Sequence, residues 1–220
     1  VFYSQNTHNL NVLEIKLFGK TAQYIYILMA ALRKAQKIGL GAERVRFEIK
    51  KVVEVCPDGQ ENILSFEQKD VNIRGPFPLL HWLDNDLNSD YIQEIKIVSP
   101  VRLRQKGKYL TRMDWPFFFF SLTRRLEMLN VFFNDGEILS REEWQGLKEI
   151  FKQVKVDKEE LHWLDLKRYS SRQRKKIPLG GLVGRVYLNN VSSWWLKWWQ
   201  LASLVHVGKG AGMGLGEIVY

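Results

Sequence analysis

The chain has 220 residues, enough for one large domain or two small ones. Its 45% hydrophobic content and eight tryptophans support a packed core and exclude a disordered tail. The net charge of +9 suits a polyanionic partner such as nucleic acid, with plain solubility as the alternative. The single cysteine, Cys56, excludes an internal disulfide and fits a reducing, cytoplasmic setting.

Leu13 to Phe18 alternates apolar and charged residues and predicts a half-buried strand. Ala22 to Ile38 predicts a helix with Ile25, Leu28, Met29, Leu32 and Ile38 near one stripe, stopped by Gly39 and Gly41. Arg44 to Val55 and Ile63 to Phe66 predict two further strands, Leu79 to Leu87 a helical segment, and Ile92 to Arg104 a strand broken at Ser99-Pro100. Asp114-Trp115-Pro116 predicts a helix start, the helix running through Phe117 to Phe133. Ser140 with Glu143 three residues on predicts a capped helix to Val154. Leu161 to Tyr169 and Leu182 to Leu188 predict strands, Ser192 to Val205 a helix and Glu217 to Tyr220 a last strand. This order predicts an α+β fold of two tandem ferredoxin-like (RRM-like) domains with antiparallel sheets, residues 1–95 and 96–220, meeting near 90–97. The chain begins at Val1 without a signal-peptide pattern, which leaves room for missing first residues in the N-terminal domain. No apolar run approaches the length of a membrane span, so no membrane association is expected.

From His206 to Tyr220 five glycines alternate with other residues, between a helix and a strand. Gly208, Lys209, Gly210, Gly214 and Gly216 could line up backbone N–H groups around a phosphate. The alternative is a turn that packs the helix tightly on a sheet. The order of elements excludes a Walker loop and a dinucleotide fingerprint. Lys167, Arg168, Arg172, Arg174, Lys175 and Lys176 place six basic residues in ten, which predicts a basic hairpin able to follow a phosphate backbone or a solvated loop. Arg102, Arg104, Lys106 and Lys108 alternate at strand spacing, which predicts a basic stripe on one sheet face. Arg124 and Arg125 lie in the Phe117–Phe133 helix, where internal pairing of one of them with Glu127 or an aspartate is the default. Trp194, Trp195, Trp198 and Trp199 share a wide helical face and are read as core before they are read as base-stacking groups. His8, His81, His162 and His206 show no metal spacing, so neither a metal nor another cofactor is expected.

Taken together, these motifs resemble the CRISPR-associated repeat-RNA processing endoribonucleases, within the repeat-associated mysterious protein superfamily. The resemblance rests on Leu13–Gly19, Gly39-Leu-Gly41, Arg44–Phe47, Ser99–Arg104, Arg124–Leu126, Tyr169–Gln173, Pro178–Gly184 and the terminal loop. Gly208-Lys-Gly210 and Gly214-Leu-Gly216 sit where the family carries paired Gly-hydrophobic-Gly motifs, with Lys209 departing from the pattern. The resemblance implies metal-independent cleavage of CRISPR repeat RNA to mature guide RNAs. The 2′-hydroxyl attacks the adjacent phosphorus and leaves a 2′,3′-cyclic phosphate and a 5′-hydroxyl. It also implies repeat RNA as the partner, other CRISPR effector subunits as further partners, and a monomer or homodimer.

Family members often carry a catalytic histidine in or just after the first helix, and Ala22 to Gly41 contains none. The catalytic set offered instead is His206, Tyr26, Lys37 and Lys34. An imidazole titrates near neutrality and His206 adjoins the glycine loop. A tyrosine hydroxyl or a lysine ammonium serves more readily as acid or charge stabiliser than as base. The alternatives are a non-catalytic RNA-binding or scaffolding subunit on the same fold, and a ferredoxin-like nucleic-acid binder unrelated to CRISPR.

Overall fold

A computed structural model describes residues 2–7, 10–41, 43–65, 71–83, 94–170 and 173–220. The chain divides into two compact units. The smaller comprises Lys16–Trp82 and Phe132–Asp135; the larger comprises Val1–Ile15, Leu83–Val131 and Gly136–Tyr220. At the N-terminus, β1 (Phe2–Thr7) pairs antiparallel with β2 (Leu10–Leu13).

In the smaller unit a 3₁₀ turn, Gly19–Tyr24, leads into α1 (Ile25–Ile38), a run of strong helix formers that ends at Gly39 with φ +89°. β3 (Val53–Val55) and β4 (Glu61–Ile63) form a short antiparallel hairpin. Here local alternation overpredicts strand. Residues 14–18 are irregular, because the Phe18 amide bonds to the Thr21 hydroxyl (2.9 Å) instead of a neighbouring strand. Most of Arg44–Val55 is also irregular. Arg44 turns with φ +49°, Leu40 and Val45 bridge each other, and the Ile49 amide is taken by the Gln36 side chain (3.1 Å). The predicted helix at Leu79–Leu87 is a single 3₁₀ turn, Leu79–Trp82. Residues 84–90, Ile92 and Phe66 lie outside the described residues.

The larger unit continues with β5 (Glu94–Val101), β6 (Arg104–Gln105) and β7 (Lys108–Tyr109), then α2 (Trp115–Asn134) and α3 (Arg141–Phe151). The strands β8 (Lys158–Leu164), β9 (Lys167–Ser170), β10 (Lys175–Pro178) and β11 (Gly181–Tyr187) follow, then α4 (Ser193–Val205) and β12 (Ile218–Val219). The central sheet runs β12-β5-β11-β8, every neighbour antiparallel. With α2 after its first strand and α4 after its third, this is the β-α-β-β-α-β connectivity of a ferredoxin-like fold. β5 passes through Ser99-Pro100 unbroken. Proline lacks an N–H, but its carbonyl accepts the Gly216 amide (3.0 Å), and β11 shifts register opposite.

The caps explain the helix starts. Asp114 accepts the Phe117 amide (3.0 Å) ahead of Pro116, and Ser140 and Glu143 form a reciprocal capping box. The core between α2, α3 and α4 is aromatic. Phe119 packs 5.1 Å from both Trp195 and Trp199, and Phe151 lies 5.0 Å from Trp198, centroid to centroid. The tryptophan face therefore packs on the core, with Trp199 fully buried, Trp195 and Trp198 half-buried and Trp194 exposed, and each fully buried aromatic ring contributes about 1.5–3 kcal/mol. No helix among the described residues is long and apolar enough to cross a membrane.

Candidate nucleic-acid interface

The glycine loop is laid against the end of β5. The Lys209 amide donates to the Arg102 carbonyl (2.9 Å), Gly216 to Pro100 (3.0 Å) and Val207 to Gly216 (3.0 Å). Met213 donates to Gly210 (2.8 Å) and Gly214 to Ala211 (3.1 Å). The Ser99 hydroxyl bonds to the Gly214 carbonyl (2.8 Å) and accepts the Glu217 amide (2.9 Å). These amides hold the loop in shape, which is the packed-turn alternative. At Gly216, φ is +73° and a Cβ would stand 1.9 Å from the Val207 carbonyl, so no side chain fits. Lys209, Gly212 and Met213 face outward, and a Cβ on Gly212 would meet nothing within 4 Å.

Arg102 does not belong to a surface stripe. It is 6% exposed, its Nε donates to the Gly180 carbonyl (3.1 Å) and its Nη2 to that of Pro178 (2.9 Å), with Tyr109 4.5 Å away across its ring face. Its carbonyl holds the glycine loop while its guanidinium holds the foot of the β9–β10 hairpin. The rest of the stripe is also corrected. Lys106 and Gly107 take φ +47° and +83°, so β6 and β7 fold back in a two-residue turn rather than continue as one strand. Arg104, Lys106 and Lys108 are exposed at that hairpin.

β9 and β10 form the expected basic hairpin, its described residues almost all exposed. The register pairs Tyr169 with Lys176 and Ser170 with Lys175. Lys167, Tyr169 and Lys176 therefore share one face, and Arg168 and Lys175 the other. Arg168 Nη1 donates to Met213 Sδ (3.4 Å), which places the second face beside the glycine loop at Met213. Arg174 sits in the turn with φ +48°; Arg172 lies outside the described residues.

His206 ends α4 with φ +62°, its amide bonded to the Ala202 carbonyl (2.9 Å) and its side chain enclosed at 3% exposure. Arg125, whose pKa burial pushes down, donates to the neighbouring Val205 carbonyl. Arg124 pairs with buried Glu127 (3.0 Å), which also accepts the Leu139 amide and the Trp144 indole N–H. Sequence reasoning missed the roles of Ser99 and Arg125 as supports of the loop: both lie in segments that carry the family resemblance, but their partners, Gly214 and Val205, are far away in sequence. Tyr26, Lys34 and Lys37 lie in the smaller unit on α1, all exposed. At 100° per residue Tyr26 and Lys37 fall roughly 20° apart round the helix and Lys34 about 80° from Tyr26. His206 belongs to the other unit. Among the described residues no group of histidine, cysteine or acidic side chains could hold a metal ion.

A sequence model of the CRISPR-associated endoribonuclease Cas6 matches residues 95–218, more than half of the chain. The chain belongs to the Cas6 family. A second model, of an N-terminal domain, matches residues 5–75. No curated protein matches the chain. Among solved structures, the product complex of Cas6 (TTHB231) is similar with a TM-score of 0.52 at 15% identity, over 87% of this chain and 69% of that one. Thermus thermophilus Cas6 (TTHB231) matches at 0.42 and 18% identity, over 58% of this chain. This chain spans about half of that relative's length, 52%.

Proposed function

We propose that the chain binds CRISPR repeat RNA on the β9–β10 hairpin and the outer rim of the glycine loop, and cleaves it without a metal ion. What supports this reading is Cas6 family membership together with the Arg168–Met213 contact, which joins an exposed cationic ribbon to the loop. In the reaction the 2′-oxygen bonds to phosphorus and gives up its proton to solvent water, the P–O5′ bond breaks, and the 5′-oxygen takes a proton. The products are a cyclic phosphate and a 5′-hydroxyl. Tyr26 supplies the leaving-group proton and Lys37 and Lys34 offset the phosphorane charge, because these α1 groups are open to a polymer. His206 is enclosed, and its part is to end α4 and start the loop. Arg102 positions the hairpin rather than touching RNA.

The test is single-turnover cleavage of repeat RNA in EDTA, with identification of the product ends. A cyclic phosphate made without metal supports the proposal; metal dependence refutes it. Tyr26→Phe or Lys37→Ala is expected to slow cleavage by roughly 10²–10⁴-fold with little change in binding. A second reading, a non-cleaving RNA-binding or scaffolding subunit, is favoured by the lack of a histidine on α1 together with the burial of His206. Binding of repeat RNA with no cleavage under any condition would select it. A cytoplasmic location, other CRISPR effector subunits as partners and a monomeric or homodimeric state belong to the same proposal.

A further inference from the structure

The smaller unit carries a pocket of about 250 Å³, lined by Cys56, Pro57, Asp58, Arg74, Phe77 and His81. It forms where the turn after β3 meets the segment before the 3₁₀ turn at Leu79. Both walls are braced. On one, the Gly59 amide bonds to the Cys56 carbonyl (2.9 Å) and Asp58 Oδ1 accepts the Gln60 amide (2.9 Å). On the other, Glu54 accepts the Arg74 amide (2.8 Å) and the Gly75 amide (2.8 Å). Arg74 Nη1 is anchored to Gln60 Oε1 (3.1 Å), which ties the two walls together and fixes the guanidinium. Phe77 is steadied edge-on by Trp82, 6.4 Å away.

We propose that this pocket takes one unstacked nucleobase of a bound RNA strand, a guanine. The inference rests on the RNA-binding reading above and names a contact that reading does not contain. The lining pairs an aromatic ring with a cation and a carboxylate. An unstacked base needs a π face to lie on, which Phe77 supplies. Guanine presents the O6 and N7 acceptors that an arginine addresses with two donors. Its N1–H and N2–H donors point the other way and suit the Asp58 carboxylate, an acceptor only when ionised. Adenine offers an exocyclic donor where Arg74 needs an acceptor, and uracil has no adjacent pair of donors for Asp58. A phosphate would meet Asp58 at the cost of charge repulsion, so the base rather than the backbone is the better occupant.

The experiment is fluorescence anisotropy of the full chain with 5′-labelled single-stranded pentamers, one of five adenosines and others with a single central guanosine, cytidine or uridine. The guanosine pentamer is expected to bind best. Phe77→Leu should weaken it about 5- to 100-fold, while Phe77→Tyr, which keeps the ring, should bind like the parent. Asp58→Asn should remove the preference for guanosine, and thermal unfolding should show each variant folded. Equal binding of all four pentamers, or equal binding by Phe77→Leu and the parent, overturns the inference. If repeat RNA still binds through the hairpin in that case, the proposed function stands without this pocket. If no RNA binds at all, both fall.

Discussion

The two faces of the β9–β10 hairpin allow a test finer than removing its charge wholesale. Arg168 and Lys175 share the face that meets the glycine loop; Lys167 and Lys176 share the opposite one. The bond from Arg168 to the loop goes to a thioether sulfur, a weak acceptor that a phosphate oxygen readily replaces. If RNA runs between hairpin and loop, replacing Arg168 and Lys175 by glutamine removes two phosphate contacts. Each contact to a single strand contributes about 0.7 to the slope of log affinity against log salt, so the slope should fall by about 1.4. Raising salt from roughly 50 to 200 mM should then narrow the gap between parent and variant about sevenfold. The assay is equilibrium binding of repeat RNA across a potassium chloride series, with Lys167→Gln/Lys176→Gln as the comparison. A parental slope in the first variant, or a larger loss in the second, would refute the placement of RNA on the loop side.

Other expectations concern stability. Gly216→Ala, with its Cβ against the Val207 carbonyl at positive φ, should cost about 1–3 kcal/mol or more, whereas Gly212→Ala should stay within about 0.5 kcal/mol; thermal unfolding of the pair checks the packed loop. Trp199→Ala, emptying the centre of the aromatic cluster, should cost about 3–5 kcal/mol by denaturant unfolding. For Glu54, burial pushes the pKa up, but bonds from Asn62, Arg74 and Gly75, with the Arg74 charge, hold it below the ordinary carboxylate range. A depressed folded-state pKa gives stability that is present above the unfolded value and lost as pH falls through the folded one. The protection of the Arg74 and Gly75 amides, taken as exchange relative to the intrinsic rate at each pH, should therefore fall on acidification below about pH 4.5, and Glu54→Gln should flatten that dependence.

The larger unit was far more legible than the smaller because its signals are local. Asp114 ahead of Trp115-Pro116, the Ser140–Glu143 box and the apolar run of β11 each mark an element within a few residues, and their order yields the ferredoxin-like sheet. In the smaller unit, alternation across Leu13–Phe18 and Arg44–Val55 misleads, since a strand also needs a partner for its amides. Thr21 and Gln36 side chains take two of those amides instead. The Arg102–Lys108 stripe fails for a related reason. Period-two spacing says nothing of a turn, and of the pair Lys106-Gly107 only the glycine suits the positive φ that both residues take.

The glycine loop shows how its own sequence separates framework from contact surface. Val207, Ala211 and Leu215 recur every four residues between the glycines, and all three are buried. Apolar residues at that interval need a hydrophobic seat, so most of the loop must face inward, and its amides close on one another and on β5. A loop built only to cradle phosphate has no use for three buried side chains. The same spacing leaves Lys209, Gly212 and Met213 outside, with Met213 against Arg168. His206 starts the inward-packed part, so proximity to a glycine-rich segment placed it near the framework of the interface and not on its surface. On the proposed function the chemistry of cleavage reaches the RNA from exposed groups, so Tyr26→Phe and Lys37→Ala are the substitutions that test it.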